Sequence, residues 1–370
     1  MKHVTVMIKP ASSLCNMRCK YCFYADVSSL REVKSFGIMA EDTARSVIVN
    51  IFADLQPGDG LTLSFQGGEP TLAGLDFYRT FAEIVDSYAD RGIRVSYTLQ
   101  TNGYLIDEDW CAFLKERNFL VGLSLDGPAR YHNSCRLDAA GKGTFQKVMD
   151  AKKLFDRFGV EYNILMVLTR ELARHPKQIW SFLEQENIQY VQFIPCLGPL
   201  EEPDSTYALT PERYASFYTE LFRLWHESYR RGKYISVKLF DDYVNLLAFG
   251  QCNVCGLLGF CHAQIIVEAD GSVYPCDFYV LDQCRAGSLA DTSLTALRNS
   301  PVMRQFQARS HQDLQLCADC PYRRICGGGC KRMKNSVFYR PGDGICGHRL
   351  FLDSAIRDLQ QLALLSRNAR

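Results

Sequence analysis

The chain has 370 residues, 47% of them hydrophobic and 22% charged, which is room for one large domain or two with a buried core. Its 42 basic and 41 acidic residues nearly cancel, so composition makes no electrostatic case for binding nucleic acid or an anionic membrane. The 16 cysteines stand out, and nothing marks them as an exported disulfide set. The apolar stretch Val4 to Ile8 is cut short by Lys9 and Pro10, where a signal peptide needs about 7–15 apolar residues. Ser12-Ser13-Leu14-Cys15 makes a poor lipoprotein cleavage site because Leu14 is bulky and no apolar segment precedes it. No run approaches the roughly 18 apolar residues of a membrane span. A cytoplasmic protein is expected, in which patterned cysteines serve more often as metal ligands.

In chain order, apolar runs at Val4–Ile8, Leu61–Phe65, Ile93–Leu99, Phe119–Leu125, Val160–Leu168 and Tyr190–Ile194 predict six strands. Helical stripes lie between them. Ala44, Val47, Ile48, Ile51, Phe52 and Leu55 share one face, and Phe145, Val148, Leu154, Phe155 and Phe158 make a second stripe. Strands alternating with helices point to parallel βα units in an α/β fold. Six units are too few for a closed eight-stranded barrel, so an open, partial (β/α)6 barrel is expected. Residues 196–211, rich in Pro, Gly and acids, read as a loop. A helix follows from Pro211 to about Arg230, with Tyr214, Phe217, Leu221 and Leu224 on one face. Beyond Cys252 the elements should shorten, in a domain with little apolar core that metal groups can staple. Leu350 to Leu365 reads as an amphipathic helix packed on its own domain.

Cys15, Cys19 and Cys22 follow the first predicted strand with the spacing Cys-x3-Cys-x2-Cys. Three thiolates can wrap a cubic iron–sulfur cluster and leave one iron open. An open coordination site marks chemistry rather than scaffolding. A structural zinc site completed by a distant residue is the alternative. With aromatic Tyr21 before the last cysteine, the motif resembles the signature of radical S-adenosylmethionine (SAM) enzymes. The resemblance implies that the open iron chelates SAM, whose reductive cleavage yields a 5′-deoxyadenosyl radical that abstracts hydrogen.

Each later strand ends in a polar or glycine-rich motif, at the barrel end where active sites collect. These are Gln66-Gly67-Gly68-Glu69-Pro70, Gln100-Thr101-Asn102-Gly103 and Ser124-Leu125-Asp126-Gly127-Pro128. Singly, each is more often a turn than a ligand site. Their recurrence downstream of the three cysteines favours a site. The resemblance assigns SAM contacts to Tyr21, Gly68, Glu69, Ser124, to Arg136 at the carboxylate, and to the Leu197 backbone at adenine.

The C-terminal cysteines run Cys261-x14-Cys276, then Cys317-x2-Cys320-x5-Cys326-x3-Cys330 and Cys346. This spacing resembles the SPASM domains of peptide-modifying radical SAM enzymes, with two zinc sites as the alternative. The resemblance implies that Cys255, Cys261, Cys276 and Cys330 hold a nearer auxiliary cluster, and that Cys317, Cys320, Cys326 and Cys346 hold a farther one. Three [4Fe-4S] clusters are then expected in all. Cys252-x2-Cys255 itself looks like a ligand pair, but the Cys255-x5-Cys261 gap fits the family. Cys111, Cys135, Cys196, Cys252 and Cys284 read as ordinary thiols. The implied domains are 1–235 for the partial barrel, 236–348 for the SPASM domain and 349–370 for the terminal helix.

Tyr274-Pro275-Cys276-Asp277-Phe278-Tyr279-Val280 and nearly the whole remaining chain are similar to anaerobic sulfatase-maturating enzymes. These oxidise a cysteine or serine, in a Cys/Ser-x-Pro-x-Arg stretch of an unfolded sulfatase polypeptide, to Cα-formylglycine. The resemblance makes Asp277 the base for the thiol or hydroxyl proton, with Tyr24 and Gln66 beside it, and implies a flavodoxin- or ferredoxin-type electron donor. A peptide maturase forming thioether or carbon–carbon cross-links is the rival enzyme. It typically carries an added N-terminal recognition domain, for which the first cysteine at residue 15 leaves no room. A zinc or electron-carrier protein without catalysis leaves the strand-end motifs unexplained.

Overall fold

The six apolar runs form β1 (His3–Ile8), β2 (Gly60–Phe65), β3 (Arg94–Thr101), β4 (Leu120–Ser124), β5 (Glu161–Leu168) and β6 (Tyr190–Pro195). Four shorter strands follow: β7 (Ser236–Val237), β8 (Ile265–Val267), β9 (Ser272–Tyr274) and β10 (Gly287–Ser288). The structure is a computed structural model that describes residues 2–201, 205–252, 254–308, 315–340 and 344–368. The predicted loop at 196–211 includes residues 202–204, which lie outside the described residues. The chain divides into two units.

The first unit comprises Met1–Ser124, Asn133–Tyr162 and Ala263–Ala308. There β1, β2, β3 and β4 pair in parallel, with Ile8 opposite Phe65, Phe65 opposite Leu99 and Thr101 opposite Leu123. Their C-terminal ends therefore share one edge, the edge from which the cysteine loop and the strand-end motifs emerge. On the other side of β1 lies β8, also parallel, with Ile8 opposite Val267. Then β9 and β10 add antiparallel. The helix Glu41–Ala53 buries Ala44, Val47, Ile48, Ile51 and Phe52, the stripe its sequence predicts. Phe65 meets Tyr78 and Phe81 edge-on, and Tyr97 stacks on Phe119 with centroids 5.0 Å apart, so aromatic rings fill the core behind the sheet.

The second unit comprises Leu125–His132, Asn163–His262 and Arg309–Arg370. It holds β5 from Asn163 onward, with β6 and β7 parallel to it in turn. The helix Pro211–Arg230 starts where Thr210 accepts a bond from the Arg213 N–H at 3.3 Å, with Pro211 in its first turn. Tyr214, Phe217, Tyr218 and Leu221 are buried on its inner face. The helix Gly347–Asn368 packs on it and on the helix Lys238–Phe249, burying Phe351, Leu352 and Leu359. Among the described residues no helix is long and apolar enough to cross a membrane.

Candidate active site

The loop leaving β1 carries Cys15, Cys19 and Cys22, and Cys22 caps the helix Phe23–Ser29. Backbone bonds fix its path, from Leu14 N–H to the Ala11 carbonyl at 2.9 Å and from Cys22 N–H to the Cys19 carbonyl at 3.2 Å. The Gly67–Gly68 turn after β2 lies directly against this loop. Gly68 N–H donates to the Ser12 carbonyl at 2.9 Å and Glu69 N–H to the Leu14 carbonyl at 2.7 Å. A Cβ on Gly68 would fall 2.1 Å from the Leu14 carbonyl oxygen, and Gly67 has φ +130°. Only glycine lets the two loops close this far.

Glu69 is 1% exposed, and its carboxylate accepts four bonds. They come from Thr71 N–H at 3.1 Å, the Thr71 hydroxyl at 2.6 Å, the Thr101 hydroxyl at 2.8 Å and Asn102 N–H at 2.7 Å. Burial pushes its carboxyl above the usual range, while these donors pull the other way. Glu69 thus ties the ends of β2 and β3 together. Asn102 then reaches the cysteine loop, its Nδ2 donating to Asn16 Oδ1 at 2.8 Å and lying 3.9 Å from Cys15 Sγ. The segment around Arg136 is laced to the same loop, by Lys20 N–H to the Cys135 carbonyl at 3.1 Å and Arg18 N–H to the Leu137 carbonyl at 2.7 Å. That lacing sets the buried Arg136 guanidinium 5.6 Å from the Tyr21 ring centroid. Ser124 closes β4 and is buried. Leu197 follows β6 in the second unit, also buried.

The donor set suits an iron–sulfur group. Three thiols sit on one short loop, and burial pushes the Cys15 thiol up to about 11. Asn16 Nδ2 is buried beside them and finds no acceptor among the described residues, which suits a donor to a bound group. The Arg136 guanidinium is the kind of partner a carboxylate ligand takes. Among the described residues no three His, Cys, Asp or Glu side chains close on one point as the ligands of a single ion would.

A second cluster of polar groups in the first unit is built on Asp277, in the short helical turn that Cys276 caps. The Tyr24 hydroxyl donates to Asp277 Oδ2 at 2.6 Å. Lys9 Nζ lies 2.8 Å from Asp277 Oδ1 and 4.7 Å from the Tyr24 ring centroid. The Lys9 and Asp277 side chains are only 4% and 13% exposed. Behind Lys9, Glu268 Oε1 stands 4.0 Å from its ammonium and 2.7 Å from Arg31 Nη1. Two cations and two carboxylates therefore form one buried, charge-balanced network. Burial and the neighbouring Asp277 charge hold the Tyr24 hydroxyl far above the ordinary phenol range, so Tyr24 acts as a donor. At the ends of β2 and β3, Gln66 Nε2 donates to Gln100 Oε1.

In the second unit Cys317, Cys320, Cys326 and Cys346 line one cavity, together with His348 and Lys334. Burial pushes the Cys326 thiol up to about 12, and the other three thiols are close enough to add to it. Cys255 and Cys330 line another cavity, and the Gly256 backbone is so near that a Cβ there would meet Cys330 Cβ at 2.7 Å. Burial, then Cys330 and Cys261, raise the Cys255 thiol to about 11. Cys252 instead points its thiol at the Val254 carbonyl, 3.8 Å away. The fourth member of the expected set, Cys276, belongs to the first unit. Sequence reasoning missed Lys9, Arg31, Glu268 and His348 as site residues. The one available signal was a lysine ending an apolar strand run.

Residues 10–183 match the Radical SAM superfamily, and residues 260–321 match SPASM, an iron-sulfur cluster-binding domain. The chain is 43% identical over 340 residues to the cysteine-type anaerobic sulfatase-maturating enzyme of Clostridium novyi, covering 91% of this chain and 90% of that protein. It is 28% identical to the serine-type anaerobic sulfatase-maturating enzyme of Bacteroides thetaiotaomicron, covering 93% and 85%. The solved structure of native anSMEcpe with bound AdoMet and Cp18Cys peptide superposes with a TM-score of 0.90 at 37% identity, covering 98% of this chain and 99% of that one. Identity of this level over nine-tenths of both chains shows the family, and the chain belongs to the anaerobic sulfatase-maturating enzymes, radical SAM enzymes with an iron–sulfur SPASM domain.

Proposed function

We propose that this enzyme oxidises a cysteine, in a Cys-x-Pro-x-Arg stretch of an unfolded sulfatase polypeptide, to Cα-formylglycine. The choice of cysteine is supported by the 43% identity to a cysteine-type enzyme against 28% to a serine-type one. When bound, SAM and the clusters supply the 5′-deoxyadenosyl radical that takes a Cβ hydrogen and the acceptor that takes the remaining electron. The protein supplies the base and its orientation. Asp277 accepts the thiol proton as the electron leaves, which gives a thioaldehyde, and water hydrolyses the thioaldehyde to the aldehyde with release of hydrogen sulfide. The observation that carries this reading is the Asp277 carboxylate, held by Tyr24 on one oxygen and Lys9 on the other, in the residue directly after Cys276. A carboxylate gripped at both oxygens is preoriented, as general-base catalysis requires. Gln66, whose amide is held by Gln100, is assigned to the substrate backbone or thiol.

Three [4Fe-4S] clusters are assigned, one to Cys15, Cys19 and Cys22, one to Cys255, Cys261, Cys276 and Cys330, and one to Cys317, Cys320, Cys326 and Cys346. Tyr21, Gly68, Glu69, Ser124, Arg136 and Leu197 form the SAM site. The partial barrel is assigned to 1–235, the SPASM domain to 236–348 and a terminal helix to 349–370. A cytoplasmic location and a flavodoxin- or ferredoxin-type donor suit thiol-bound clusters that must be reduced. The test is anaerobic incubation with SAM, dithionite and a synthetic motif peptide, read by mass spectrometry. A cysteine peptide should lose about 18 Da and its serine counterpart, if used, about 2 Da, because the cofactor chemistry removes two hydrogens before hydrolysis. An unchanged peptide alongside cross-linking of another ribosomal peptide would transfer the chain to the rival activity.

A further inference from the structure

His348 lies in the first turn of the helix Gly347–Asn368, two residues past Cys346, and is 1% exposed. Its Nδ1 is 3.1 Å from Cys326 Sγ, and its Nε2 meets the hydroxyl of the fully buried Tyr243. Phe338 stacks on the ring with centroids 4.9 Å apart and planes 20° from parallel. Gly347 lets the helix start close in, since a Cβ there would meet the Pro211 carbonyl oxygen at 2.2 Å. The imidazole is therefore held in plane and in place, on the wall of the cavity that four cysteines line.

The direction of the hydrogen bond follows from the acceptor. A cysteine bound to iron has no S–H proton, so a bare Nδ1 would set its lone pair against sulfur lone pairs. A protonated Nδ1 instead donates to sulfur, and Nε2 then accepts from the Tyr243 hydroxyl. Tyr243 selects the tautomer and His348 delivers the donor. We propose that His348, fixed by Tyr243, donates Nδ1–H to Cys326 and thereby raises the reduction potential of the auxiliary cluster at Cys317, Cys320, Cys326 and Cys346. A hydrogen bond to a ligating sulfur draws charge from it and favours the reduced form, one of the protein's levers on cluster potential. Neither residue touches substrate; both are positioning residues acting through Cys326. The proposal rests on the assignment of that cluster to these four cysteines.

The full-length, anaerobically reconstituted protein tests it, with iron content and an electron paramagnetic resonance redox titration as readouts. His348→Phe keeps a flat ring on Phe338 and removes the donor. Its iron content should match wild type, one auxiliary midpoint should move to lower potential, and the other signals should stay. Tyr243→Phe, which keeps the imidazole but frees its tautomer, should move the same midpoint the same way by less. Unchanged midpoints in a fully loaded His348→Phe protein overturn the proposal. Should His348→Phe lose iron, the loaded Tyr243→Phe protein decides, a downward shift supporting the role and no shift overturning it. Cys317→Ala with Cys320→Ala tests the underlying assignment separately, because full iron in that variant would remove the cluster from this cavity.

Discussion

Lys9→Met isolates what the ammonium does for Asp277, because methionine fills a similar volume without charge. At 2.8 Å and an effective dielectric constant of about 20, the Lys9–Asp277 attraction is about 6 kcal/mol. The pair is nearly out of water, so solvent screening removes little of it. Breaking one side of a buried pair costs about 3–5 kcal/mol, since the remaining charge is left uncompensated. In this network the loss leaves Arg31 as the one cation of the set against Glu268 and Asp277, so Asp277 Oδ1 loses its partner and only the Tyr24 bond to Oδ2 still holds the carboxylate. A misplaced base forfeits its share of the rate, about 10²–10⁴-fold for a positioned general base. Formylglycine formation should therefore fall by about 10²-fold or more in Lys9→Met, and by a similar or larger factor in Asp277→Asn. The decisive measurement is the double variant, assayed by peptide mass spectrometry in a double-mutant cycle. If Lys9 works through Asp277, the pair of changes loses no more than Asp277→Asn alone. Additive losses would refute the reasoning and give Lys9 a role of its own. SAM cleavage should survive in all three proteins, since neither residue is among those assigned to SAM.

Reconstituted protein should hold about twelve irons, and changing Cys15, Cys19 and Cys22 to alanine should leave about eight and end reductive SAM cleavage. Full iron with continued 5′-deoxyadenosine formation in that variant would mean the catalytic cluster is elsewhere. Glu69→Ala leaves the Thr71 and Asn102 N–H groups buried without acceptors, at about 1–3 kcal/mol each. It should lower the unfolding midpoint by an amount equivalent to about 2–6 kcal/mol in all, and a loss below about 1 kcal/mol would show that water replaces the carboxylate.

The strands were legible because each is a short apolar run bounded by polar or glycine-rich turns. Predicted Leu61–Phe65 and Tyr190–Ile194 differ from observed Gly60–Phe65 and Tyr190–Pro195 by one residue. The helix Pro211–Arg230 announced itself through proline at its first position and a clean apolar face. The short strands β8 to β10 had no such signal. Three-residue pieces such as Ile265–Val267 carry no period, and what makes β8 a strand is the edge of β1 beside it.

The cysteines and glycines of the candidate site could be singled out because cysteine spacing and tight turns are local. Gly68 could be singled out from its motif, but its physical reason, the Leu14 carbonyl 2.1 Å from any Cβ, is a contact between loops 54 positions apart. The charge network is wholly non-local. Lys9 meets Asp277 across 268 positions and Arg31 meets Glu268 across 237, so no window of sequence contains either pair. His348 was hidden differently, as one of 7 histidines beside a recognised cysteine, with its partner Tyr243 on another helix.

The non-local network also bears on how proton and electron leave together. If Asp277 takes the thiol proton, the balanced set of Lys9, Arg31, Glu268 and Asp277 becomes one unit more positive. That change arises beside Cys276, the sequence neighbour of the base, as the electron departs the substrate. A positive increment in a low-dielectric site attracts an incoming electron far more strongly than it would in water. Buried ion pairs add little net stability, which makes four charges a poor investment for folding alone. On that reading their arrangement makes sense as electrostatic preorganisation, in which Asp277 needs Lys9 before it takes the proton and the departing electron needs Lys9 afterwards.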